Sequence, residues 1–232
     1  MTKPLIIGHR GAAGTHPENT LSSFAAAITS GVPMVECDVH VCKSNQLVVI
    51  HDDSVDRTTN GTGPIANLTL SALQQLDAGN GERIPTLDEL LQLINHRCSI
   101  NIELKGVNTA LPVAQKITQY IQTHGWSLDQ FLVSSFDHPQ LRAIKKILPD
   151  VNIGVLFSNE LPVEPTTYAR SMRAYSINPD KKSVTEELVS TAHQAGLKVF
   201  TYTVNEPTDY DRVTGCRVDG IFTDFPERYL VQ

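Results

Sequence analysis

Apolar runs of strand length alternate with amphipathic helical stretches along the whole chain, and that rhythm leaves few folds open. Residues 5–9, 34–41, 47–51, 100–105, 131–136, 152–157, 174–178, 199–204 and 220–224 read as strands. Helix signals lie between most of them. Leu21, Phe24, Ala25 and Ile28 follow the spacing of one buried helix face. Thr86 opens a capping box with Glu89, ahead of Leu87, Leu90, Leu91 and Ile94. Ser183 and Glu186 read as a second box before Leu188, Val189, Ala192 and Ala195, and Gly196 stands where a helix end takes a left-handed residue. Pro139 suits the first turn of another helix.

Strand–helix alternation implies a mostly parallel sheet covered by helices. One gap departs from it. Only residues 42–46 separate strand 34–41 from strand 47–51, and a parallel crossover needs a dozen residues or more, so this pair is an antiparallel hairpin. With the hairpin counted once, about eight strand–helix units remain. The predicted fold is α/β, a (β/α)8 TIM barrel with a small insertion after the β-hairpin of the second strand. An open doubly wound sheet is the alternative, but Gly8-His9-Arg10-Gly11 lacks its G-x-G-x-x-G turn. Residues 53–83 show little periodicity and are rich in Thr, Asn and Gly; they form the insertion or a lid. No linker divides the chain, and 232 residues suit one domain of barrel size, 1–232.

Composition narrows the function. A net charge of −6 argues against nucleic acid as partner. No apolar run approaches the roughly 20 residues that cross a bilayer, so no membrane insertion is expected. The apolar stretch near the N-terminus is too short for the core of an export signal, and Cys37, Cys42, Cys98 and Cys216 have no C-x-x-C spacing; both point to free thiols in the cytoplasm.

The chemistry lies on the strands. In Val35-Glu36-Cys37-Asp38-Val39-His40-Val41, side chains two apart share a face, so Glu36, Asp38 and His40 point one way and Cys37 points at the covering helices. Asn101, Glu103 and Lys105 alternate in the same manner with three aliphatic residues. Carboxylates on the axial face near strand C-termini occupy the active end of a barrel. Three of them cannot all stay ionised together without a counter-charge. One divalent cation on Glu36, Asp38 and Glu103 supplies it, and an all-oxygen set suits Mg²⁺ or Ca²⁺. The alternative is an ion-pair network of Glu103 with Lys105 or Arg10. His9 and His51 end strands that converge on these carboxylates and suggest a general acid and a general base. Arg10 offers a planar fork to phosphate oxygens, and Lys105 a point charge. Phe136 and Tyr202 complete the rim of a small polar mouth. His40 lies farther along its strand, outside the ligand set, and His16, His96, His124, His138 and His193 fall in loops or helices, most of them at the surface.

These residues match a family. His9-Arg10-Gly11, Pro17-Glu18-Asn19-Thr20, Glu36-x-Asp38-Val39, Val49-Ile50-His51-Asp52 and Arg57-Thr58-Thr59-Asn60-Gly61 closely resemble the glycerophosphodiester phosphodiesterases. The resemblance continues through residues 101–105, 134–136, 203–205 and 219–224. It implies a (β/α)8 barrel that cleaves glycerophosphodiesters, small-molecule substrates, to glycerol 3-phosphate and an alcohol with the help of a metal. It further implies Glu36, Asp38 and Glu103 as ligands, His9 and His51 as the acid–base pair, and Arg10 and Lys105 as phosphate contacts. Two positions depart from the family's pattern: Tyr202 stands where Trp is frequent, and the hairpin turn Lys43-Ser44-Asn45-Gln46 lacks the usual Asp-Gly. A related enzyme acting on lysophospholipids needs an apolar surface, which the sequence does not reveal. A non-catalytic phosphate-ester-binding barrel would have lost a histidine or carboxylate, and none is missing.

Overall fold

The computed structural model describes residues 3–158 and 160–230. Its strands are β1 (Leu5–Gly8), β2 (Met34–Val41), β3 (Leu47–Val49), β4 (Ser99–Leu104), β5 (Phe131–Ser135), β6 (Asn152–Phe157), β7 (Ser176–Pro179), β8 (Lys198–Thr201) and β9 (Gly220–Thr223). All but β3 run parallel, in the order β1-β9-β8-β7-β6-β5-β4-β2, and the pairing of β1 with β2 closes the barrel. β3 lies antiparallel to β2, with Val49, Val48 and Leu47 opposite Val39, His40 and Val41. Asn45 takes the left-handed conformation (φ 64°) of the hairpin turn, which asparagine tolerates, so the turn closes without Asp-Gly.

The helices are α1 (Leu21–Thr29), α2 (Leu70–Leu73), α3 (Leu87–Ile94), α4 (Ala110–His124), α5 (His138–Ile147), α6 (Pro165–Ser171), α7 (Glu186–Gln194), α8 (Pro207–Gly215) and α9 (Glu227–Leu230). The Thr86–Glu89 capping box opens α3 as expected. The second expected box does not form. Thr185, not Ser183, caps α7 by accepting from the Leu188 amide, because residues 181–183 form a separate 3₁₀ turn. On α1 the buried face is Ser23, Phe24, Ala27 and Ile28, rotated from the predicted one, since Ser23 Oγ accepts from the Ala12 amide under the β1 loop. Among the described residues, no helix is long and apolar enough to cross a membrane.

Strand alternation makes two cores. Outward residues such as Val35, Cys37 and Val39 of β2 and Ile100, Ile102 and Leu104 of β4 join Phe24, Leu90, Val113 and Ile117 in the layer between sheet and helices. Truncating one of these, such as Ile102→Ala, would cost about 2–5 kcal/mol. Inward residues Ile7, Leu132, Phe200 and Phe222 form a separate apolar plug. Toward the strands' C-terminal ends the interior turns polar, with Glu36, Asp38, Asn101, Ser134 and Asn178 all buried. The insertion packs Val55, Ile65, Leu73 and Ala78, together with Ile84 just after it, against Cys42, Val48 and Ile50 of the hairpin region, so it has a small core of its own.

Candidate active site

A cavity of about 240 Å³ opens where the polar interior meets the strands' C-terminal ends. It is lined by His9, Arg10, Glu36, His51, Asn101, Glu103, Lys105, Ser134, Phe136 and Tyr202. Asp38 stands directly behind, so all nine predicted site residues come together. A larger cavity of about 640 Å³ near Lys3, Tyr175 and Lys198 opens at the strands' N-terminal ends, and among the described residues that line it Asp219 alone carries a carboxylate.

The loop after β1 needs its unusual sequence. Arg10 (φ 51°) and Gly11 (φ 86°) both take the left-handed conformation, and a Cβ on Gly11 would lie 2.5 Å from Ser23 Oγ. The turn brings the Arg10 amide to Glu36 Oε2 at 2.9 Å. Asn19, also left-handed (φ 59°), donates from Nδ2 to Asp38 Oδ2 at 2.8 Å. The Arg10 Nε stands 3.3 Å from the same Asp38 oxygen, and Arg10 Nη1 donates to Glu18 Oε1 at 2.8 Å.

Carboxylate oxygens of Glu36, Asp38 and Glu103 lie within 4.8 Å of one another. Burial first, then the charges of Asp38 and Glu103, push the Glu36 carboxyl well above its ordinary range, with Arg10 pulling the other way. Burial, then Asp38, pushes Glu103 up to about 7 against the opposing pull of Lys105 and Arg10. Lys105 Nζ stands 3.2 Å from Glu103 Oε1, so the ion-pair alternative holds in part. It leaves Glu36 Oε1 and Asp38 Oδ1 as buried acceptors with no donor. Buried carboxylate oxygens without donors, on three acids whose oxygens converge within 4.8 Å, suit a hard cation, so the residues fit a divalent metal.

Each histidine rests on a carboxylate. His9 Nδ1 is 2.6 Å from Asp224 Oδ1, and Asp224 Oδ2 accepts from Asn205 Nδ2 at 2.6 Å. Burial would raise the Asp224 carboxyl, but His9 and Asn205 outweigh it and hold it below the ordinary range. His51 Nδ1 is 2.6 Å from Asp52 Oδ1. The hydrogen bonds from Arg57 hold the Asp52 carboxyl far below its usual range, and His51 adds to them. Burial lowers the His51 imidazole below its ordinary 6.5, against the raising influence of Asp38 and Asp52. In both dyads the anionic partner fixes the proton on Nδ1 of the neutral ring and leaves Nε2 to exchange protons.

His40 is buried, and its Nε2 donates to the His51 carbonyl at 3.1 Å. It therefore sits behind His51. His138 is likewise no surface residue, since it bonds the Leu156 carbonyl and the Tyr168 hydroxyl. At the mouth, Phe136 and Tyr202 meet edge to face with centroids 5.9 Å apart, and Lys105 Nζ lies 5.6 Å from the Phe136 ring centre. The Tyr202 hydroxyl donates to the Phe157 carbonyl, which fixes the ring as a wall. The residues that sequence reasoning left without a role are Glu18, Asn19, Asp52, Arg57, Asn205 and Asp224. Every one lies inside a motif quoted above, but apart from Asp52, which follows its histidine directly, each finds its partner outside that motif, so no local spacing reveals the pairing.

Residues 9–228 match the Glycerophosphoryl diester phosphodiesterase family. A glycerophosphodiester phosphodiesterase of Caldanaerobacter subterraneus subsp. tengcongensis is 40% identical over 98% of this chain and 97% of that protein. A second, from Bacillus altitudinis, is 37% identical over 98% and 96%. Among solved structures, an Oleispira antarctica phosphodiesterase in complex with the product sn-glycerol-3-phosphate superposes with a TM-score of 0.90 at 30% identity, over 99% of this chain and 96% of that one.

Proposed function

The chain belongs to the glycerophosphoryl diester phosphodiesterase family and is a glycerophosphodiester phosphodiesterase; we propose that it releases glycerol 3-phosphate and an alcohol by acid–base catalysis between His9 and His51. The carrying observation is that both imidazoles, each with Nδ1 on a carboxylate, line one cavity with Glu36 and Glu103. A divalent cation on Glu36, Asp38 and Glu103, Mg²⁺ or Ca²⁺, would supply Lewis-acid stabilisation of charge on the phosphate.

The chain's own residues do the rest. Arg10 and Lys105 hold the non-bridging phosphate oxygens as their charge shifts. The glycerol carries a hydroxyl next to the phosphorylated carbon, and such an attacker can remove several kcal/mol of barrier relative to free water. One histidine takes the proton of that hydroxyl as its oxygen bonds to phosphorus. The other gives a proton to the departing alcohol oxygen. The resulting five-membered cyclic phosphate is opened by water, with the two histidines in exchanged roles. Phe136 and Tyr202 wall the mouth through which the alcohol leaves. The glycerol 3-phosphate bound by the Oleispira antarctica enzyme supports this product for the present chain.

We read residues 1–232 as one catalytic domain, because the family match spans most of the chain. Four unpaired thiols support a cytoplasmic setting. The deciding experiment is release of glycerol 3-phosphate from glycerophosphocholine and glycerophosphoethanolamine with Mg²⁺, with Ca²⁺ and with excess chelator. Release that needs the cation and is lost in His9→Ala and His51→Ala is expected. Full turnover under chelation, or in either variant, would overturn the mechanism.

A further inference from the structure

Arg57-Thr58-Thr59-Asn60-Gly61 has no part in the chemistry so far and lies in the insertion, away from the barrel strands. Its arginine nevertheless reaches the site. Arg57 Nε donates to Asp52 Oδ2 at 2.7 Å and Nη2 to Asp52 Oδ1 at 2.9 Å, so both oxygens of the His51 carboxylate are engaged. The other edge of the guanidinium donates to Glu18 Oε2 at 2.9 Å and Oε1 at 2.8 Å, and Glu18 also takes Arg10. A planar fork can serve two carboxylates in this way, while an ammonium cannot reproduce the geometry.

The insertion provides a firm mount. Val55, two residues before Arg57, is fully buried in the insertion's own core. The Thr59 hydroxyl donates to the Val55 carbonyl at 2.7 Å and accepts from the Gly61 amide at 3.0 Å. Asn60 and Asp77 exchange two hydrogen bonds, Asn60 N to Asp77 O at 3.1 Å and Asp77 N to Asn60 Oδ1 at 2.9 Å. The Thr-Thr-Asn-Gly part of the motif thus closes the turn that aims Arg57.

We propose that Arg57 is a positioning residue for catalysis: through its fork on Asp52 it holds His51 in the tautomer and orientation that proton transfer needs, with the insertion as its support. The inference rests on the acid–base role assigned to His51. A merely structural ion pair makes a different prediction. The Arg57 side chain is 48% exposed, and pairs that open to water contribute little to stability. Removing the fork should therefore leave folding nearly intact and act on the chemical step.

The test uses Arg57→Gln, Arg57→Ala, Arg57→Lys, Asp52→Asn and the double variant Asp52→Asn/Arg57→Gln, with His51→Ala as reference. Turnover of glycerophosphocholine is measured at saturating Mg²⁺ together with each unfolding midpoint. Arg57→Gln should lower kcat by roughly 10- to 100-fold, the scale of a misplaced catalytic group, with KM changed by less than about threefold. Arg57→Lys should recover only part of the loss, and added guanidinium should restore Arg57→Ala several-fold. The double variant should be no slower than Asp52→Asn alone, because Arg57 acts through that carboxylate. If His51→Ala is inactive but Arg57→Gln keeps kcat within twofold, the positioning role is wrong while the acid–base reading stands. Losses that multiply in the double variant, or no rescue by guanidinium, would also overturn it. Normal turnover in His51→Ala would overturn both.

Discussion

The carboxylate cluster makes the chelated protein lose stability as pH rises through the range where most proteins gain it. Glu103 is raised from 4.5 to about 7, chiefly by burial and then by Asp38. Between those two values the native state holds a proton that the unfolded chain has released. This contribution is fully present below pH 4.5 and is lost as pH climbs to 7. At about 1.4 kcal/mol per tenfold change in proton affinity, the loss is about 3 kcal/mol. For a chain of this size that is roughly 6–12 °C in unfolding midpoint. Glu36, raised for similar reasons, acts in the same sense. His51, held below 6.5 by burial, acts in the opposite one, so Glu103→Gln is the comparison that isolates the effect. The assay is urea unfolding from pH 4.5 to 7.5 with excess chelator. The wild-type protein should weaken across that window, and Glu103→Gln should be flatter and more stable at pH 7.5. Mg²⁺ or Ca²⁺ should reverse the wild-type trend, because a cation at 100 times its Kd adds about 2.7 kcal/mol to the native state. A chelated wild-type protein that strengthens steadily to pH 7.5, in parallel with Glu103→Gln, would refute the electrostatic account of the cluster.

His9→Ala and His51→Ala should each lower turnover by about 10² or more, and normal turnover in either variant would contradict the pair. In chelated protein the His51 imidazole, followed by NMR, should titrate below 6.5 because burial disfavours its cation; a value above 6.5 would contradict that. A substrate analogue with hydrogen in place of the hydroxyl next to the phosphorylated carbon should bind but turn over hardly at all, and rapid hydrolysis of it would exclude the cyclic route. Choline, ethanolamine and glycerol diesters should react within about tenfold of one another, since a head group leaving toward solvent would meet few fixed contacts; a hundredfold preference would reveal a head-group pocket.

The barrel and its reactive faces were legible because both follow from the two-residue period of strands. That period puts Glu36, Asp38 and Glu103 inside and Cys37 and Ile102 outside whatever the rest of the chain does. The hairpin followed from loop length alone. What the sequence left dark depends on contacts between distant segments. Nothing in His51-Asp52 announces Arg57 as its clamp, and Asp224 is 215 residues from the histidine it orients. The insertion's core was hidden because Val55, Ile65, Leu73 and Ile84 are spaced for neither helix nor strand. At α7, Ser183 and Thr185 both offer a capping hydroxyl, and only the turn at 181–183 decides between them.

The two histidine supports differ in a way that predicts opposite results for their removal. Asp224 is fixed by its backbone: its amide donates to Asn205 Oδ1 at 2.9 Å and its carbonyl accepts from the Gly14 amide at 2.8 Å. Asn205 also takes the Thr223 hydroxyl at 3.2 Å, so its amide group serves the chain path at the end of β9 as much as the carboxylate. Asp52 makes no backbone hydrogen bond of this kind among the described residues, and its carboxylate is held through the Arg57 fork. Asn205→Ala therefore strands a backbone amide and a hydroxyl, at about 1–3 kcal/mol for an unsatisfied buried group. The Gly14 amide on the Asp224 carbonyl and the Phe225 amide on the Thr223 hydroxyl remain in that variant, and they keep Asp224 near His9. Arg57→Gln strands nothing buried but frees the Asp52 carboxylate to turn. Asn205→Ala should lower the unfolding midpoint by several degrees and kcat by about tenfold or less. Arg57→Gln should scarcely move the midpoint and should cost more in kcat. Parallel thermal unfolding and steady-state kinetics of the two variants decide the matter. If Asn205→Ala were the slower enzyme and Arg57→Gln the less stable protein, backbone anchoring would not be what separates the two dyads.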